Sequence, residues 1–378
     1  MDTSTTTSEP AQALRSPRLR VESEAVTAAS LAAVGAGLVA IVTIADRTVP
    51  LWGGWSAGAV AALSTLVVGI VVAYVAYWRA RARPGQEWRR SIRPWKFVLD
   101  ATTVALVHAF LAAIFTASVF VVLQRSFEGL EVDVIIGTIT VGAAAAATGY
   151  LVFLSASEIT TRRMATLLVA FIALSTLASI AAVEDEHWWE YHFSQLGTSG
   201  DFSAWMFNTT LIVGGFFATT FTLYLHRDLD VLVERGILVH RWTPRLFSVA
   251  FVVLGIMLAG VGLFPLDVNA ALHNGCAAGM AAAFAVMVLG SPYFLAGLPK
   301  RFIAMCLATF AVLIGGFLLF SPIGYYNLTA FELVAFAVIF SWITVFIRFI
   351  DAIAAPAEIA APTEIAAPTE AVADPGGR

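Results

Sequence analysis

The stretch AGAVAALSTLVVGIVVAYVAYW (57–78), followed at once by RARARPGQEWRRSIRPWK (79–96), decides the class of this protein. Its first part carries no charged residue from Ala57 to Trp78. A bilayer-spanning helix needs roughly 20 apolar residues, because each adds about 1.5 Å against about 30 Å of hydrocarbon. Its second part carries seven Lys or Arg, the composition that is retained in the cytoplasm during insertion. The pair reads as a membrane span followed by its inner anchor. The basic segment also has the make-up to lie along inner headgroups, with Trp88 and Trp95 at the interface.

The rest of the chain repeats this logic. Of 378 residues, 59% are apolar and 13% charged, against about 45–50% and about 25% in soluble domains. Ten stretches are long and apolar enough to span: 26–45, 57–78, 98–123, 134–157, 165–183, 205–225, 246–264, 273–295, 302–320 and 329–350. The predicted fold class is therefore all-α, a polytopic integral membrane protein of ten transmembrane helices. With the N-terminus placed inside, 20 Lys and Arg fall on the cytoplasmic side and only Arg47 and Arg125 outside. A missed or false span would invert every later loop and spoil that tally, so both termini are predicted cytoplasmic.

Residues 1–25 read as a disordered cytoplasmic tail with no removable signal peptide. The stretch 351–378 repeats AAPAEI, AAPTEI and AAPTEA, with Pro356, Pro362 and Pro368 in register. Regular proline forbids a continuous helix, so this tail is also expected to be disordered. A net charge of −4, with basic runs confined to membrane-flanking loops, speaks against nucleic-acid binding. Two cysteines exclude a disulfide framework and Cys-rich metal modules. Cys276 and Cys306, a leaflet apart by topology, are not expected to pair.

Parity sends the loops after helices 1, 3, 5, 7 and 9 outward. The longest, VEDEHWWEYHFSQLGTSGDFSAWMFN (183–208), has five acids, two histidines and no Lys or Arg. Most unusual polar residues gather on this face: His187, Glu190, His192, Ser194, Asp201, Asn208, Asp267, His273, Asn274 and Glu332. Ionisable groups near helix ends either cap helices and tie loops together or line a shared pocket. His192, Asp267 and His273 are candidate ligands for a zinc or other divalent metal ion that activates water. Ser194, with His192 or His273 as base and Asp267 as orienter, is the alternative nucleophilic set. Glu190, Asn208, Asn274 and Glu332 would complete the pocket. Trp188, Trp189 and Tyr191 read as an aromatic belt or a lipid entrance. His108, mid-span, reads as a buried histidine bonding a neighbouring helix.

The ordered series YHFSQLGT (191–198), WMFNTTLIVGG (205–215), VGLFPLD (261–267) and LHNGCAAG (272–279) resembles the prokaryotic multi-pass family catalogued as domain of unknown function 998, over about residues 165–350. Ser194, Leu196, Gly197, Phe207, Asn208, Gly262, Phe264, Pro265, Asp267, His273 and Asn274 fall on its S-x-LG, FN, G-x-FP-x-D and HN pattern. The resemblance implies a six-helix core (165–350) behind an added four-helix block (26–164) in a prokaryotic plasma membrane. It transfers no activity; a looser similarity to Frag1-type proteins implies a lipid connection. Three functions stay open: a lipid-directed hydrolase or transferase, a lipid or small-solute transporter, and a non-catalytic membrane partner or sensor.

Overall fold

The computed structural model describes residues 17–83 and 86–354, and its long helices number ten. They are α1 (Pro17–Ile44), α2 (Ala57–Ala80), α3 (Pro94–Ser126), α4 (Val134–Ser157) and α5 (Thr161–Ala182). Then follow α6 (Phe202–Glu234), α7 (Thr243–Leu263), α8 (Ala270–Leu289), α9 (Lys300–Phe320) and α10 (Leu328–Ala354). Each is long and apolar enough to cross a membrane, one for each span expected from the sequence. The chain is an all-α multi-pass membrane protein. Among the described residues one pair of strands forms, β1 (Val49–Pro50) against β2 (Glu131–Val132), and it ties the α1–α2 loop to the α3–α4 loop.

Several helices outrun their apolar stretches. Helix α1 begins at Pro17, so residues 17–25, expected to belong to a disordered tail, are helical. Neighbours hold those charged turns: Glu24 pairs with Arg79 and Arg83 at 3.9 and 3.3 Å, and the Tyr150 hydroxyl donates to Glu22 at 2.7 Å. Helix α6 likewise continues past residue 225 through His226, Arg227, Asp228 and Asp230 to Glu234. Helix α8 instead stops at Leu289, and a short turn, Ser291–Phe294, takes up the rest of its apolar run. The Pro/Glu repeat lies outside the described residues.

Small residues set the closest helix crossings. Gly215 of α6 faces Gly255 of α7, and a Cβ built on Gly255 would lie 2.5 Å from the Gly215 carbonyl oxygen. Only glycine at both positions lets these backbones touch, a packing mode favoured where lipid removes the hydrophobic drive between helices. Helix α1 packs along α4, α2 packs on both α3 and α4, and α3 also meets α5 and α6. Helix α6 is flanked by α5 and α7, with α8 beyond α7 and α10 against α5 and α6.

In the basic segment, the stretch 86–96 turns toward the protein interior. Arg89, in the 3-10 turn Glu87–Ser91, is 1% exposed and donates through Nη2 to the Ile159 carbonyl at 3.1 Å. Its guanidinium lies 4.7 Å from the Tyr77 ring centroid and 5.4 Å from that of Tyr224, whose hydroxyls are 3.0 Å apart. Trp88 packs edge-on against Tyr224, whereas Trp95 is exposed.

Candidate functional site

The long connection between α5 and α6 folds down onto the helix ends because three of its apolar side chains are buried: Trp188, Phe193 and Leu196. The Phe193 ring sits against Trp188, Phe207 of α6 and Phe336 of α10. Polar contacts then fix the loop. The Phe193 N–H donates to Glu332 Oε2 at 2.6 Å, and Asn327 Nδ2 donates to the Trp189 carbonyl at 2.7 Å. Beneath it, the Ser179 and Ser203 hydroxyls meet at 2.9 Å and join α5 to α6.

This anchoring delivers Ser194, in the 3-10 turn Phe193–Gly197, to the first turns of α8. Ser194 Oγ lies 3.0 Å from His273 Nε2, and His273 Nδ1 lies 2.9 Å from the Phe264 carbonyl oxygen at the end of α7. A carbonyl can only accept, so Nδ1 carries the proton in the neutral ring, and Nε2 receives the Ser194 hydroxyl. His273 is 5% exposed and fixed at both nitrogens. The hydroxyl, the imidazole and the carbonyl form one directed chain, the local arrangement a general base needs to activate a serine.

The same ordered motifs that fill the sequence of this region now lie against one another in space. Residues 168–348 match DUF998, a family described as protein of unknown function. The match spans the six helices α5–α10. No curated protein and no solved structure matches the chain.

The ordered motifs of this region interlock through small and amide side chains. Asn208 Nδ2 donates to the Gly197 carbonyl at 2.9 Å, and a Cβ on Gly197 would lie 2.6 Å from Asn208 Oδ1. A Cβ on Gly262 would lie 2.6 Å from the Asn208 carbonyl oxygen. Asn208 is thus held between the S-x-LG turn and the end of α7, and His273 closes the circuit by bridging Phe264 and Ser194.

Not every expected site residue joins this cluster. Asp267 is exposed in the α7–α8 turn, where the Val268 and Asn269 N–H groups both bond the Pro265 carbonyl at 3.0 Å. That tight turn leaves Asp267 exposed, and the Phe264 carbonyl occupies the orienting place expected for a carboxylate. Glu190 and Asn274 are exposed as well. Among the described residues no three His, Cys, Asp or Glu side chains gather as metal ligands. The set His192, Asp267 and His273 therefore does not fit a three-ligand zinc site.

His192 stands beside the pair rather than in it. Its side chain is half-buried, and its Nδ1 is enclosed without a hydrogen-bond partner. Burial, reinforced by the neighbouring His273, pushes its pKa below the ordinary histidine value. The Phe264 carbonyl was missed from sequence, since a main-chain acceptor leaves no side-chain signature. Asn327 was missed because a single Asn before a span looks like a helix cap, and it does also accept from Ala330 N at 3.0 Å.

Proposed function

We propose that the DUF998 region is a membrane-embedded acyl hydrolase or acyltransferase acting on a lipid ester, with Ser194 as nucleophile and His273 as general base. The observation that carries this reading is the chain Ser194 Oγ–H to His273 Nε2, with His273 Nδ1–H directed to the Phe264 carbonyl. Ser194 Oγ attacks the ester carbonyl while Nε2 takes its proton. The carbonyl of Phe264 holds the resulting imidazolium in place. His273 then returns the proton to the leaving alcohol, giving an acyl-serine. Water, or the hydroxyl of a second lipid, releases the acyl group and restores the serine.

Acyl rather than phosphoryl chemistry suits the surroundings. The segment 183–208 holds five acids and neither Lys nor Arg, so its field opposes an incoming phosphate at the reacting centre. The charge bias of the loops supports an outward-facing site with cytoplasmic termini; a prokaryotic plasma membrane is what the family resemblance implies. The helix grouping, α1–α4 beside α5–α10, favours a catalytic core with an added block over the two five-helix halves of an inverted-repeat carrier.

The test is turnover in nanodiscs of mixed bacterial lipid containing a fluorescent-acyl diacylglycerol and a fluorescent-acyl phospholipid. Release or transfer of the labelled acyl group by the wild type, and none by Ser194→Ala of equal thermal stability, is expected. Equal product from both proteins would overturn the assignment.

A further inference from the structure

Helices α3 and α4 are neighbours in sequence, yet they barely touch; each packs instead on α2. The gap left between them is a cleft of about 400 Å³, within the size range of small-ligand sites, about 300–1,000 Å³. Phe115 and Leu151 at its rim are 69% and 62% exposed, so it opens through the side of the bundle, toward lipid. Its floor holds His108, Thr116 and Thr148, all buried, and beside them Ser155. No charged residue lines it.

The floor repeats the hydrogen-bond order of the Ser194 site on different helices. His108 Nδ1 lies 2.8 Å from the Val104 carbonyl oxygen, so it carries the proton. His108 Nε2 lies 2.9 Å from Ser155 Oγ and accepts its hydroxyl. Ser155 has then used its one hydrogen, and its remaining lone pairs border a cleft whose walls are otherwise nearly all apolar. A half-buried oxygen acceptor in such an apolar setting calls for a donor. A carboxylate or a phosphodiester has no hydrogen to donate, and any anion would bring an uncompensated charge into hydrocarbon.

We propose that this cleft binds an uncharged long-chain lipid bearing a free hydroxyl, with its chain along Leu111, Phe115 and Leu151. The hydroxyl donates to Ser155 Oγ, which donates in turn to His108. The site is independent of the Ser194 chemistry.

The experiment uses the full-length protein in nanodiscs and a long-chain alcohol carrying a diazirine and an alkyne. Photolysis and peptide mapping are expected to place saturable adducts on α3 and α4. Unlabelled alcohol should displace the probe, and the methyl ether of the same chain, lacking the donor, should do so about five- to tenfold less well. Ser155→Ala should remove that preference. Ala147→Trp, at an exposed rim position where folding is not at stake, should abolish the adducts. Adducts spread evenly over all ten helices, or equal displacement by alcohol and ether in the wild type, would overturn the proposal.

Discussion

Replacing His273 separates the chemical role of the Ser194–His273 pair from its structural one. In His273→Ala the Phe264 carbonyl loses its donor and Ser194 its acceptor. The half-buried serine can turn its hydroxyl to water, but the Phe264 carbonyl left without a partner costs about 1–3 kcal/mol of stability. In His273→Asn the amide Nδ2 lies near the place of Nδ1 and can still donate to Phe264, while nothing basic remains opposite Ser194. The half-buried serine turns its hydroxyl to water, and the stability loss falls to about 0.5–1.5 kcal/mol. Removing a positioned general base lowers reactivity about 10²–10⁴-fold, equivalent to roughly 2.7–5.4 kcal/mol of barrier. The assay is the rate of covalent labelling by a fluorescent fluorophosphonate, run beside thermal unfolding of each variant. The expected pattern is a folded His273→Asn protein that labels at least a hundredfold more slowly, the low end of that range. A labelling rate indistinguishable from wild type in a folded His273→Asn protein would refute general-base activation.

Asp267→Ala should leave both labelling rate and melting temperature unchanged, because its side chain is exposed and outside the cluster; a loss like that of His273→Asn would restore it as orienter. Glu332→Ala removes a charge-assisted bond to the Phe193 N–H and should cost about 1.5–3 kcal/mol in thermal unfolding, with faster proteolysis within 183–201, whereas Glu332→Gln keeps an acceptor and most of the stability. His192 has its folded-state pKa pushed below that of the unfolded chain, so its contribution is intact above about pH 6.5 and is lost as pH falls through the folded value. Melting temperature measured from neutral into acid should therefore decline less steeply in His192→Gln. Gly255→Val should separate α6 from α7 and cost at least about 1–3 kcal/mol, read as early aggregation on fluorescence-detected size exclusion.

The spans were legible because uninterrupted apolar stretches leave one structural option in a bilayer, and the loop charges count them independently. The ends of α1 and α6 were not, because hydropathy stops where charge begins while a helix goes on if neighbours pair its charges. Glu22 and Glu24 are held by Tyr150, Arg79 and Arg83 from residues far along the chain. Arg89 shows the same limit: within a basic run it resembles its neighbours, and only the fold places it between Tyr77 and Tyr224.

At the site, Ser194, Asn208, His273 and Glu332 stood out as polar residues in places where burial is costly, and the structure brings all four to one loop–helix junction. Which groups touch was beyond the pattern. Asp267 has the right chemistry and nearly the right position, but two main-chain bonds to Pro265 set a turn that faces it to solvent. The atom that orients His273 belongs to the backbone of Phe264, which any residue could supply.

The most direct test of the account is the position of the reactive serine. Full-length protein in nanodiscs is treated with a fluorophosphonate, digested and mapped by mass spectrometry. The account predicts one saturating adduct, on Ser194, that is absent from Ser194→Ala and slowed in His273→Asn. A stable, folded protein that takes up no label at Ser194, or is labelled equally at unrelated serines, would contradict it.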